Sequence, residues 1–240
     1  MITATELCKT YDTGKVKVDA LRGVNLCVEK GEMIAVMGPS GCGKTTLLNC
    51  LSGLDDLSCG SVEIEGQNVH AMHDNARTEY RAKRMGFIFQ SFNLIPVLTA
   101  LENVELPLLV GGSKNKEAKE RALEALSLVD MIGWQDHKPS ELSGGQQQRV
   151  TIARSLVNNP AIVWADEPTG NLDSENSAEV MELLSRLNRE KELTLVIVTH
   201  DAAVGAACKR TVKMRNGHIE SDSLNHSKIH DGRDDTWNSQ

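Results

Sequence analysis

With 240 residues, 40% of them hydrophobic and 25% charged, the chain is long enough for one α/β domain with a buried core. Its formal net charge of −7 argues against a nucleic-acid partner, which usually needs a basic stripe, and no segment approaches the roughly 20 apolar residues of a membrane span. The six cysteines (8, 27, 42, 50, 59 and 208) show no CxxC spacing and no His–Cys cluster, so neither a disulfide nor zinc is expected.

The first residues lack the basic region and apolar stretch of a secretion signal, which predicts a cytosolic protein. Residues 3–7 and 21–28 alternate apolar and polar positions, predicting antiparallel strands around a turn at Asp12-Thr13-Gly14. The apolar run 33–37 predicts a buried strand, and Gly38-Pro39-Ser40-Gly41-Cys42-Gly43-Lys44-Thr45 follows it directly, ahead of a helix over 46–51. A glycine-rich loop between a strand and a helix is the setting of a phosphate cradle. Its glycines let successive N–H groups converge on phosphate oxygens, and the helix adds its positive end. Lys44 is placed to reach β- and γ-phosphates, and the Thr45 hydroxyl to ligate Mg²⁺. With Thr46 at the head of the helix, this segment predicts binding of a nucleoside triphosphate.

A strand over 61–64, a turn at 65–67 and a charged helix over 77–84 lead to a strand over 86–89 that ends at Gln90. From 90 to 160 the periodicity is mostly helical, with helices over 116–129 and 146–158, the second stopping at Asn159-Pro160. Strands over 161–165 and 194–199 enclose a helix over 174–191, a βαβ unit that predicts a parallel sheet. After Asp222 the sequence is polar and aperiodic, predicting a frayed tail over 223–240. The expected organisation is therefore one domain over 1–222, with a core from 1–90 and 160–222 and a helical part over 91–159.

Strand 161–165 runs into Asp166-Glu167-Pro168. Successive strand side chains point to opposite faces, so the two acids cannot share a task. Asp166 suits a metal's coordination sphere, and Glu167 suits orienting and deprotonating water. His200 closes the next strand on the ligand side of an α/β sheet and is placed for the γ-phosphate. Gln90 ends a third strand, where its amide oxygen could reach the metal or the water. Leu142-Ser143-Gly144-Gly145-Gln146 opens an amphipathic helix and forms a second anion site by the same physics as the first. Because the first loop already serves the chain's own nucleotide, this second cradle is expected to act on a partner's, in a head-to-tail homodimer that buries two ATP molecules.

These motifs, with Asn171-Leu172-Asp173, resemble in order and spacing the nucleotide-binding subunits of ABC transporters, over about residues 2–222. The segments 89–96 and 98–108 look like the lipoprotein-releasing and macrolide-export branch (LolD/MacB type). The resemblance implies a P-loop (RecA-like) α/β core with a parallel sheet, an N-terminal antiparallel β subdomain and a helical insertion carrying the Ser143–Gln146 signature. It implies a Mg²⁺-dependent ATPase with Lys44, Glu167 and His200 as catalytic groups. It also implies a separately encoded integral-membrane permease that holds the subunit at the cytoplasmic face of the membrane. Within it Tyr11 matches the aromatic that stacks on adenine, though as one of two tyrosines it could be a core residue, and Val18 would flank the ribose. Asp173 matches an aspartate that crosses the dimer. Phe92, Leu94 and Ile95 fall where the family docks its membrane partner, or else pack beneath the helical part. Cys42 occupies a variable loop position, either as a nucleotide-protected reactive thiol or as a shielded one. The motifs specify no cargo: lipoprotein, macrolide and peptide export all fit, and so does a mechanical clamp on a membrane partner that moves no cargo.

Overall fold

Apolar alternation in the first 28 residues produces two long antiparallel strands, β1 (Ile2–Asp12) and β2 (Lys17–Val28), in a computed structural model that describes residues 1–12 and 14–225. β3 (Met33–Met37) follows, then the loop and helix α1 (Lys44–Leu51). β4 (Cys59–Ile64) and β5 (Gln67–Asn68) join the first two strands in an antiparallel sheet of order β2-β1-β4-β5. Helix α2 (Asp74–Arg84) buries none of its residues, as its charge foretells, and leads to β6 (Met85–Phe89).

Three helices come next: α3 (Ala100–Val110), α4 (Asn115–Leu128) and α5 (Gly144–Leu156). α3 starts at a reciprocal cap, in which Thr99 Oγ1 accepts from Glu102 N and the Glu102 carboxylate accepts from Thr99 N. The chain then alternates through β7 (Ile162–Asp166), α6 (Ser174–Lys191), β8 (Thr194–Thr199), α7 (Ala202–Ala207), β9 (Arg210–Arg215) and β10 (His218–Leu224). The second sheet has the order β10-β9-β3-β8-β7-β6.

Strand periodicity divides the core into two layers. Ile34 and Val36 of β3, Ile162 and Trp164 of β7, and Val196 and Val198 of β8 face the antiparallel sheet and α1. Their neighbours Met33, Ala35, Val163, Ala165, Leu195 and Ile197 face the opposite side, where α3 to α6 pack. Strands buried on both faces read as continuous apolar runs, which is why 33–37, 161–165 and 194–199 were legible. No helix among the described residues is long and apolar enough to cross a membrane.

Three expectations change. The second sheet is mixed, because β9 and β10 form an antiparallel hairpin at its edge. The tail does not begin at 223: β10 continues to Leu224, and the Asn225 amide donates to Gly205 O, Cys208 O and Thr211 Oγ1. The strand escaped a reading by composition because it is nearly all exposed and draws its order from pairing with β9 and from the Arg210–Asp222 ion pair at 2.6 Å. The rest of the expected tail, 226–240, lies outside the described residues. Finally, Cys8 faces Cys59 in the β1–β4 register with the two sulfurs in bonding contact, so cysteine spacing misled. The partners lie 51 residues apart, and their meeting is a matter of strand register.

Candidate active site

The parallel strands of the second sheet deliver their carboxyl ends to one edge, with Met37 beside Thr199 and Phe89 beside Asp166. Ligands of open α/β sheets collect at such an edge. A cleft of about 1080 Å³ opens there, lined by the 39–46 loop and helix start without Cys42, by Gln90, Glu167 and His200, and by Tyr11 and Val18.

Gly43 precedes α1 with φ +105°, and a Cβ there would strike Ala20 O, so only glycine suits the close approach of loop and β2. The helix start has no side-chain cap for its first-turn N–H groups, and its residues Lys44, Thr45 and Thr46 line the cleft. Lys44 Nζ donates to Gly38 O at 2.9 Å and Pro39 O at 3.1 Å, which folds the ammonium over the loop. The Thr45 hydroxyl donates to Asp166 Oδ1 at 3.2 Å, joining helix start to strand end. Burial raises the Asp166 carboxyl above its ordinary range and the nearby Glu167 charge adds to this, against the bond from Thr45 and the Lys44 charge. Thr45 and Asp166 thus form a hydroxyl–carboxylate pair that an added cation would relieve.

Glu167 adopts a left-handed backbone, φ +48°, uncommon for a residue with a side chain and concentrated at functional sites. The kink sends its side chain to β8: Thr199 Oγ1 donates to Oε2 at 3.0 Å, and His200 Nδ1 lies 2.8 Å from Oε1. The two acidic side chains diverge, Asp166 turning to Thr45 of α1 and Glu167 to Thr199 of β8 and His200. Gln90 lines the cleft, with its Nε2 donating to Asn171 Oδ1 at 3.2 Å while Asn171 Nδ2 donates to Gln90 O at 3.0 Å.

Tyr11 and Val18 are register partners across β1 and β2, and both stand at the cleft wall. Tyr11 is 39% exposed, which rules out a core role. Its hydroxyl donates to Asp55 Oδ2 at 2.7 Å, and Lys9 Nζ sits 4.9 Å from the ring centroid while bonding Asp55 Oδ1 at 2.6 Å. Asp55 is partly desolvated, yet the bonds from Lys9 and Tyr11 hold its carboxyl below the usual range.

Ser143 caps α5, accepting from Gln146 N at 3.2 Å while its own N–H donates to Gln146 Oε1 at 2.9 Å. A Cβ on Gly145 would collide with Asn176 Oδ1, and Asn176 is itself clamped by both oxygens of Asp173, the cap of α6. The Ser143–Gln146 turn and Asp173 therefore form one interlocked unit. None of these residues lines the cleft of their own chain. Of the three docking candidates, Leu94 packs against the core, Ile95 is exposed, and Phe92 is half-buried with its carbonyl accepting from Arg154 Nη2 at 2.8 Å.

Cys42 is 4% exposed and turned into the layer beneath the loop, so the reactive-thiol alternative gives way to the shielded one. The sequence reading missed Asp19, Ala20, Arg22, Asn216 and Gly217 on the cleft wall, and Thr199 behind Glu167. Asn216-Gly217 is a two-residue hairpin turn between β9 and β10, a signal present in the sequence.

The family model described as ABC transporter matches residues 21–170. The uncharacterised ABC transporter ATP-binding proteins MJ0796 and MJ1508 of Methanocaldococcus jannaschii are 46% and 47% identical, covering 92% and 91% of this chain and 95% and 97% of their own lengths. The macrolide export ATP-binding/permease protein MacB of Syntrophobacter fumaroxidans is 45% identical over 93% of this chain, which spans 32% of that protein. The dimeric post-hydrolysis structure of the cassette MJ0796 bound to ADP and Pi superposes with a TM-score of 0.86 at 43% identity, covering 95% of this chain and 100% of that one.

Proposed function

The chain belongs to the ABC transporter family and is an ATP-hydrolysing cassette of it; on that premise we propose that it works as a head-to-tail homodimer which binds two MgATP and drives a separately encoded permease from the cytoplasmic face of a membrane. The observation that carries this reading is the convergence in one cleft of Lys44, Thr45 and the Glu167–His200 pair, with Asp166 hydrogen-bonded to Thr45 beneath it.

Thr45 and Asp166 suit Mg²⁺, which is held by one or two carboxylates plus phosphate oxygens and keeps several waters. Among the described residues no three acidic, histidine or cysteine side chains form a protein-only cage, in keeping with that ligand set. When bound, Mg²⁺ would neutralise developing phosphate charge. Lys44 and the loop N–H groups hold the β- and γ-phosphates, and Tyr11 offers its face to the adenine with Val18 beside the ribose. Glu167 takes the proton of the attacking water, oriented by Thr199 and His200. The partner's Ser143–Gln146 turn closes over the γ-phosphate, and Asp173 beside it follows the same movement. Residues 91–159, with Ile95 exposed, form the side presented to the permease.

The macrolide-export relative supports a transport role, since its name joins ATP-binding to permease. Purified protein should release phosphate from ATP only with Mg²⁺ present, and the Glu167→Gln variant should sediment as a dimer with ATP and as a monomer without it. Full activity from protein that stays monomeric at every nucleotide concentration would refute the composite site.

A further inference from the structure

We infer that Cys8 and Cys59 constitute a modification site, a dithiol that a small-molecule disulfide such as oxidised glutathione closes into a cross-strand bridge within the folded chain.

The two residues are direct partners in the antiparallel β1–β4 register, with Cα atoms 4.9 Å apart. That Cα separation lies inside the range a disulfide spans. The register slips between Thr5 and Cys8, where Glu6 takes φ +49°. Opposite this irregularity lies Gly60, φ +91°, on which a Cβ would strike Glu6 O. The glycine thus permits the backbone approach that sets its neighbour Cys59 against Cys8. Ser58 fixes the pair on the other side: its N–H donates to Cys8 O at 2.9 Å and its hydroxyl accepts from Thr10 N at 2.9 Å. The backbone pairing therefore holds Cys8 and Cys59 opposite one another, within the separation that a disulfide spans.

Accessibility and selectivity follow from the other cysteines. Cys59 is exposed and Cys8 half-buried, so an oxidant in solution meets Cys59 first. Cys42, Cys50 and Cys208 are buried, and burial pushes the Cys50 and Cys208 thiols up to about 12, away from the reactive thiolate. Cys27 is exposed, but its register partner is Thr3, so it has no thiol within reach. Among the described residues one exposed thiol thus has a partner and another has none, which supplies an internal control.

Closure proceeds by two successive thiol–disulfide exchanges. The Cys59 thiolate attacks one sulfur of the small disulfide, forming a mixed disulfide and expelling one thiolate. The Cys8 thiolate then attacks Cys59 Sγ, forming the intramolecular bond and expelling the second thiolate. The two protons lost by the cysteines end on the two leaving thiols, and the small disulfide is the species reduced. Excess dithiol reverses both steps, as expected for a responsive site in a compartment where glutathione keeps most thiols reduced.

The test uses the full chain, incubated natively with oxidised glutathione, then alkylated without reduction and digested with trypsin. The expected product is a disulfide-linked pair of peptides 1–9 and 45–77 from a single chain that has lost two hydrogen atoms at the bridge and carries one glutathione, on Cys27. Dithiothreitol should restore alkylation at both positions. In Cys8→Ser the linked pair should vanish and Cys59 should keep its glutathione; Cys59→Ser should leave Cys8 free or singly adducted. Glutathione on Cys59 of the unsubstituted chain without the linked pair, alkylation of both Cys8 and Cys59, or a bridge to any other cysteine would overturn the inference.

Discussion

His200 and Glu167 hold one another: the imidazole Nδ1 stands 2.8 Å from a carboxylate oxygen whose twin accepts the Thr199 hydroxyl at 3.0 Å. A carboxylate only accepts, so Nδ1 carries the proton in this pair, and any contact of His200 with phosphate falls to Nε2. The Glu167→Gln change removes the base while keeping size and backbone. Turnover should fall by about 10²-fold or more, the scale of a lost general base, while ATP affinity is kept and an ATP-bound dimer accumulates. Steady-state phosphate release and sedimentation check both, and a wild-type hydrolysis rate would remove Glu167 from the mechanism.

The Ser143–Gln146 turn is capped, interlocked with Asp173 through Asn176, and absent from the cleft of its own chain. Lys44→Ala and Ser143→Arg chains should each be inactive alone. Mixed, they should recover ATPase activity, because the heterodimer pairs the intact Lys44 of one chain with the intact Ser143 of the other. A mixture as inactive as its components, with heterodimer confirmed by differential tagging, would count against a site shared between chains.

Asp166 gives a stability prediction with a definite sign. Its carboxyl titrates higher in the folded chain than its ordinary value, first because it is buried. A carboxyl raised in the folded state costs stability at neutral pH, where both states are ionised. That cost disappears as pH falls through the folded value toward the unfolded value of about 3.9. Asp166→Asn removes the charge, so in chelator the variant should unfold at higher urea than wild type at pH 7, with the difference closing by about pH 4. It should also lose Mg²⁺-supported ATPase activity, the usual exchange of stability against function at a site. A variant less stable than wild type at pH 7 would contradict the account.

What the sequence showed was what repeats locally. Runs buried on both sides announced β3, β7 and β8, and the positions of Asp166, Glu167 and His200 followed from that, since they sit where a parallel sheet presents ligands. What it hid depends on register or on exposed pairing. Thr199 looked like one more apolar-strand residue until the kink at Glu167 aimed a carboxylate at it. The end of β10, Ser223 and Leu224, looked like tail because its side chains face solvent. Cys42 carried a motif position but not its direction, which the turn of the loop sends into the core. Asp55, the anchor of Tyr11, lies 44 residues from it and is joined to it only by the fold.

Tyr11 stands at the cleft wall with its hydroxyl on Asp55 and Lys9 near its ring, so its face is set before nucleotide arrives. Removing the ring in Tyr11→Ala should weaken ATP binding by about tenfold or more, since base–aromatic stacking contributes ~1–3 kcal/mol. Tyr11→Phe keeps the ring and loses only the bond to Asp55, so its loss should be several times smaller. Asp55→Asn should resemble Tyr11→Phe, raising KM with kcat nearly unchanged, because ground state and transition state share the adenine contact equally. Titration with a fluorescent ATP analogue, beside steady-state kinetics, separates the three variants. If Tyr11→Ala binds ATP as tightly as wild type, Tyr11 is not the adenine platform. If Tyr11→Phe loses as much as Tyr11→Ala, the hydroxyl rather than the ring is the group that matters.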